Sequence, residues 1–128
     1  MTENLPGLER VKLRFLSMLE DRQREIATHA LAAWDGETLD DINGNLIMAR
    51  DILHKISGSA GSLGFMSLGN HARHCETQII EHLEGPDADL AICPGELISM
   101  LDNFAHDCQE LLAESRENIF AQELTGTS

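Results

Sequence analysis

Residues 54–64 read His-Lys-Ile-Ser-Gly-Ser-Ala-Gly-Ser-Leu-Gly, a histidine followed by glycines at positions 58, 61 and 64. At about 100° per residue, Ala49, Ile52, Leu53, Ile56, Ala60 and Leu63 fall in one arc of a helical wheel, the pattern of a buried helix face. His54 points away from that arc, Gly58 follows it by one turn, and Gly61 falls on the same outer half. A glycine in an exposed helix interior costs about 1 kcal/mol relative to alanine. Two of them beside one histidine read either as a place kept clear for another molecule to approach the ring, or as a place where a neighbouring helix packs tightly beside a solvated surface histidine. An imidazole with an ordinary pKa of about 6.5 is largely neutral at cellular pH, so one ring nitrogen offers a lone pair for nucleophilic attack without a dedicated base.

The elements that must position this histidine are helical. Aromatic residues are scarce, with four Phe, one Trp and no Tyr among 128 residues, and the abundance of Leu, Ala, Ile, Met and Glu favours helix over sheet. A first helix carries Leu8, Val11, Phe15, Met18/Leu19, Arg22, Ile26 and Ala30 at helical spacing; Pro6 precedes it and Gly36 follows Trp34. Thr38 and Asp41 form a cap that opens a second helix, which bears His54 and stops near Gly64. Ser67 is the expected cap of a third helix with a seam of Leu68, Ala72, Cys75, Ile79 and Leu83, ending at Gly85-Pro86. After a loop from Pro86 to Gly95, a fourth helix repeats Leu97, Leu101, Phe104, Cys108, Leu111 and Leu112. Four amphipathic segments with short connections bury their stripes around one shared axis, so the expected fold is all-α, an antiparallel up-down four-helix bundle. The whole chain, 1–128, reads as a single domain, its bundle spanning about 6–122 with a frayed tail from Leu124.

Nine Lys and Arg against 22 Asp and Glu leave a formal charge of −13. No basic cluster offers a footprint for nucleic acid or anionic lipid, and no apolar run approaches the ~20 residues of a membrane span. The start of the chain lacks the features of an export signal, and three cysteines without Cys-x-x-Cys spacing fit reduced thiols. The expected setting is the cytoplasm.

The segment from His54 to Gly64, with Phe65 behind it, resembles the signature of histidine-containing phosphotransfer (HPt) domains, in which a helix carries His-x-Leu-Lys-Gly-Ser-Ala before a turn ending in Gly. Ile56 takes the Leu place, Gly58, Ser59 and Ala60 match directly, and Ser57 stands where the family usually has Lys. The resemblance implies a phosphoryl carrier without its own ATP site, accepting phosphate on His54 from an aspartyl phosphate of one receiver domain and passing it to another. The implied partners are the receiver domains of a hybrid sensor kinase and of a response regulator. It implies no cofactor on this chain, with Mg²⁺ expected on the partner receiver. In that picture Gly58 and Gly61 clear space for the phosphoryl oxygens and the partner, Ser57 offers a hydroxyl, Arg50 and Lys55 are the candidate replacements for the family's lysine, and Ile47 is a candidate docking residue.

Two other readings compete. A receiver-binding adaptor or phosphate sink would keep the fold without onward transfer. A metal-binding bundle would use His71, His74 and Cys75, completed by His106 and Cys108. A self-contained hydrolase or transferase is disfavoured, since the chain has no Gly-rich phosphate loop and no Gly-x-Ser-x-Gly elbow.

Overall fold

The computed structural model of the chain describes residues 7–125. Helix α1 spans Gly7–Trp34, α2 Leu39–Ala60, α3 Met66–Glu84 and α4 Gly95–Thr125. Pro6 and residues 126–128 of the expected tail lie outside the described residues. Leu124 and Thr125 belong to α4 rather than to a frayed end.

Each helix packs on its chain neighbours, and α4 closes the ring against α1, leaving α1 diagonal to α3 and α2 diagonal to α4. This is the up-down antiparallel bundle. Leu19, Ile26, Leu46, Leu53, Ile56, Ile79, Leu101 and Phe104 are sealed from solvent at its axis. Burial of such side chains contributes about 1.5–3 kcal/mol each. Polar ties cross every seam: His29 Nδ1 to Asn45 Oδ1 at 2.8 Å between α1 and α2, His71 Nδ1 to Asp107 Oδ2 at 2.6 Å between α3 and α4, and Gln109 to Gln23 at 3.3 Å between α4 and α1. Arg116 on α4 meets Glu20 on α1 at 2.8 Å, and that hydrogen bond pulls the Glu20 carboxyl below its ordinary value.

The α1 stripe is buried only from Phe15 onward, and Leu8 and Val11, expected to continue it, are exposed. Helices α1 and α4 are longer than α2 and α3, so the first two turns of α1 overhang the end where α2 and α3 turn back. Phe15 marks that end by stacking on Phe65, with ring centroids 5.4 Å apart.

Two caps show how sequence sets the ends of α2 and α3. Thr38 adopts extended backbone, and its Oγ1 accepts the Asp41 N–H at 3.1 Å, as the spacing predicts. At the far end, α2 tightens into a 3-10 turn over Gly61–Leu63 and closes on Gly64 at φ 90°, a left-handed conformation that only glycine adopts freely. Ser67 is not the cap of α3. Because the Phe65 N–H bonds back to the Ala60 carbonyl at 2.9 Å, the chain re-enters helix two residues sooner and Phe65 becomes the cap residue, leaving Ser67 inside the first turn. Between α3 and α4 the segment expected as loop holds a short 3-10 turn over Pro86–Asp89, tied to α2 by Asn43 Nδ2 donating to the Ala88 carbonyl at 2.9 Å.

Cys75 and Cys108 are free and fully buried, filling the core as their stripes predict, while Cys93 is half-buried. Burial pushes both core thiols up to about 12 from an ordinary 9.0. Since the folded thiols hold their protons where unfolded ones ionise, this contribution to stability is complete below about pH 9 and is lost as pH rises toward about 12. In the native protein at pH 8, iodoacetamide should therefore modify Cys93 well before Cys75 or Cys108, as read by peptide mass spectrometry. Comparable rates at all three would mean that the α3–α4 core opens readily.

Candidate functional site

His54 sits in the middle of α2, opposite the face formed by Ala49, Leu53, Ile56 and Ala60, all of which are fully buried. Its side chain is 75% exposed. The ring is not free to turn, because Nδ1 lies 2.7 Å from Oε2 of Glu76 on α3, a side chain only 15% exposed. A carboxylate can only accept, so Nδ1 carries the proton and donates it. The other nitrogen, Nε2, then holds the lone pair. The arrangement is a histidine whose tautomer and orientation are set by a partly sheltered carboxylate, with the lone pair left to Nε2 on a largely exposed ring.

Glu76 was missed by the sequence reading, yet a signal for it exists. In an antiparallel helical hairpin, residues equidistant from the turn face each other, and His54 and Glu76 lie eleven residues on either side of Phe65. Gly61 and Gly69 lie four residues on either side, and they also meet. A Cβ added to Gly69 would stand 3.3 Å from the Gly61 amide nitrogen and 3.5 Å from the Ala60 Cβ. The absence of a side chain at Gly69 lets the two backbones cross closely, and that crossing carries Glu76 to the ring.

The remaining sequence candidates separate into distinct roles. Gly58 is exposed, and a Cβ there would meet nothing within 4 Å, so the space one turn beyond His54 is open. Gly61 is partly exposed, and among the described residues an added Cβ would meet only the Met66 sulfur, at an ordinary 3.9 Å, while its backbone is the surface on which Gly69 packs. Ser57 is buried, and its hydroxyl donates to the His54 carbonyl at 3.0 Å, so it faces its own helix rather than the ring's open side. Arg50 is drawn to its neighbour Asp51, with Nη2 to Oδ1 at 3.1 Å and Nε to Oδ1 at 3.2 Å. Lys55 is exposed and, among the described residues, makes no ion pair. Ile47 is 37% exposed two turns before His54, and Met66, which the sequence reading passed over, is 59% exposed beside Gly61. Apolar surface therefore brackets the ring along the axis of α2.

The metal-binding alternative finds no cluster to support it. His71 pairs with Asp107 and meets the Phe104 ring edge-on at 5.2 Å, and His106 pairs with Glu110. Cys75 and Cys108 belong to the core. Among the described residues, no three His, Cys, Asp or Glu side chains are grouped to hold a metal. Nor is any described helix long and apolar enough to cross a membrane.

No curated protein and no solved structure matches the chain. Comparison with protein families matches residues 12–107 to the Hpt domain, a stretch that runs from the first buried turns of α1 into α4 and takes in the whole α2–α3 hairpin. With the helical bundle and the match agreeing over three-quarters of its length, the chain belongs to the Hpt domain family.

Proposed function

We propose that this protein is a single-domain phosphoryl carrier in which His54 accepts a phosphoryl group from a receiver-domain aspartate and returns it to another. Hpt domains are phosphotransfer carriers rather than kinases, which supports this reading. The observation that supports the assignment of His54 is the hydrogen bond to Glu76. It leaves Nε2 as the one ring nitrogen with a lone pair and places it in solvent, where a second protein can bring an aspartyl phosphate in line.

In the proposed step the Nε2 lone pair attacks phosphorus, the bond from phosphorus to the aspartyl oxygen breaks, and the aspartate leaves as carboxylate. The ring gains positive charge as the P–N bond forms. Glu76, at 2.7 Å from Nδ1, stabilises that charge without moving. Transfer to the next receiver is the same sequence reversed, with an incoming carboxylate attacking phosphorus and Nε2 leaving as neutral imidazole. Phosphoryl transfer of this kind draws most of its acceleration from positioning and charge. Glu76 is a positioning residue in this scheme, and His54 is the group that reacts.

Gly58 leaves the approach to Nε2 free, and Ile47, Met48 and Met66 supply the exposed apolar area on which a receiver seats itself. Both partners, the receiver of a hybrid sensor kinase and that of a response regulator, would use this face in turn, in the cytoplasm.

His54→Gln should abolish acid-labile phosphate uptake from a phosphorylated receiver while leaving the helical circular dichroism unchanged; retained label would place the acceptor elsewhere. Gly58→Leu should block transfer by obstruction, and because the site is open and leucine favours helix by about 0.8 kcal/mol over glycine, thermal stability should hold or rise slightly. Normal transfer by this variant would refute the steric role. Glu76→Ala should slow transfer about tenfold, as loss of orienting carboxylates does elsewhere. It should also move the His54 ring, read by ¹⁵N NMR, from the Nδ1-protonated tautomer toward a mixture. An unchanged ¹⁵N pattern would show that Glu76 does not set the ring.

A further inference from the structure

A phosphoryl group on His54 adds a near-dianion to a chain of net charge −13, beside a carboxylate that cannot move away without releasing the ring. That group requires a cation within reach. The two candidates on α2 itself are poorly placed. Arg50 is held by Asp51 and lies one turn on the far side of His54 from the Gly58 opening, and Lys55 is about 100° around the helix from the ring. Ser57, at the seam between α2 and α3, is uncharged, buried, and bonded to its own helix.

The register of the hairpin brings another cation to this point. His54 meets Glu76 and Gly61 meets Gly69, so each step forward along α2 is matched by a step back along α3. Ser57 therefore stands level with Arg73. Arg73 precedes Glu76 by three residues, and positions so spaced share a helix face, with a rise of about 4.5 Å between them. The core side of α3 is given by Leu68, Ala72, Cys75 and Ile79, and Glu76 borders it next to α2; Arg73 lies one turn along on the outer rim of the same side and is exposed. Among the described residues no carboxylate is paired with it. At Gly58 an added Cβ would meet nothing within 4 Å, so the turn beyond the ring is open on this side.

Resting on the assignment of His54 as phosphoryl acceptor, we infer that Arg73 is the phosphoryl-binding cation of this protein, supplied across the helix crossing from α3 instead of from the histidine's own helix. A guanidinium suits the task because its planar fork of N–H donors matches two phosphoryl oxygens at once. Its partner charge exists only after transfer, which accounts for an arginine on an acidic surface that forms no ion pair in the unphosphorylated protein.

The test uses the full chain and phosphoramidate, which loses ammonia as its phosphoryl group passes to a histidine nitrogen, so no receiver is needed. The phosphorylated protein is titrated by ³¹P NMR, since a bound guanidinium favours the dianion and holds the phosphoryl titration at lower pH. Arg73→Ala should raise the midpoint by about half a pH unit and speed loss of the phosphoryl group about threefold, an effect sized for a solvent-exposed charge pair. Arg73→Lys should restore most of both, and Lys55→Ala should leave both near wild type. A midpoint in Arg73→Ala equal to wild type, or an equal shift in Lys55→Ala, would overturn the assignment while leaving His54 as the acceptor. Failure of the wild-type chain to take label at His54 would instead remove the carrier reading, and this inference with it.

Discussion

The close approach of α3 to the end of α2, where Gly69 lies on the backbone of Gly61, sets the geometry around His54. Helix axes commonly lie 8–10 Å apart, as side chains dictate, and removing the side chain at Gly69 lets α2 and α3 close together near the turn. From that fixed crossing the two helices run back antiparallel in a single register. Glu76 is delivered to His54 by that register rather than by any local feature of either helix. The left-handed Gly64 and the stacked pair Phe15 and Phe65 brace the crossing from the overhanging end of the bundle.

The site built on this crossing is spare. One imidazole stands in solvent, one carboxylate sheltered at the helix seam holds its proton, and an empty place one turn along admits another molecule. The ring is largely exposed. For a group proposed to meet two different proteins in succession, an exposed ring on a rigid helix serves better than a pocket. The fully buried stripe of α2 directly behind His54 anchors the helix on the core. Charge is the open problem of the proposed role, since the net charge of −13 and Glu76 would both oppose an added phosphoryl group.

The sequence was legible wherever structure follows from a local rule. The 3.6-residue repeat marked all four helices, Thr38 and Asp41 marked a cap that forms as expected, and the stripe of α2 put His54 on the outside. It was less legible where a neighbour decides. Leu8 and Val11 continue the apolar repeat of α1 but have no second layer to enter, because α2 and α3 are too short to reach them. Ser67 has the right side chain for a cap, but the turn after Gly64 tightens and Phe65 takes that position. Gly61, which on a wheel looks like clearance beside the histidine, also offers its backbone to Gly69 of α3.

What the amino-acid sequence determined by itself was a helical bundle, its family signature and the outward direction of one histidine, since these depend on residue types a few positions apart on one helix. The tertiary structure alone decided which nitrogen of that histidine is free, which carboxylate holds the ring, and which glycine lets two helices cross closely. Those depend on pairs such as His54 with Glu76, separated by 22 residues and brought together by the packing of two helices, whose register a local pattern does not encode.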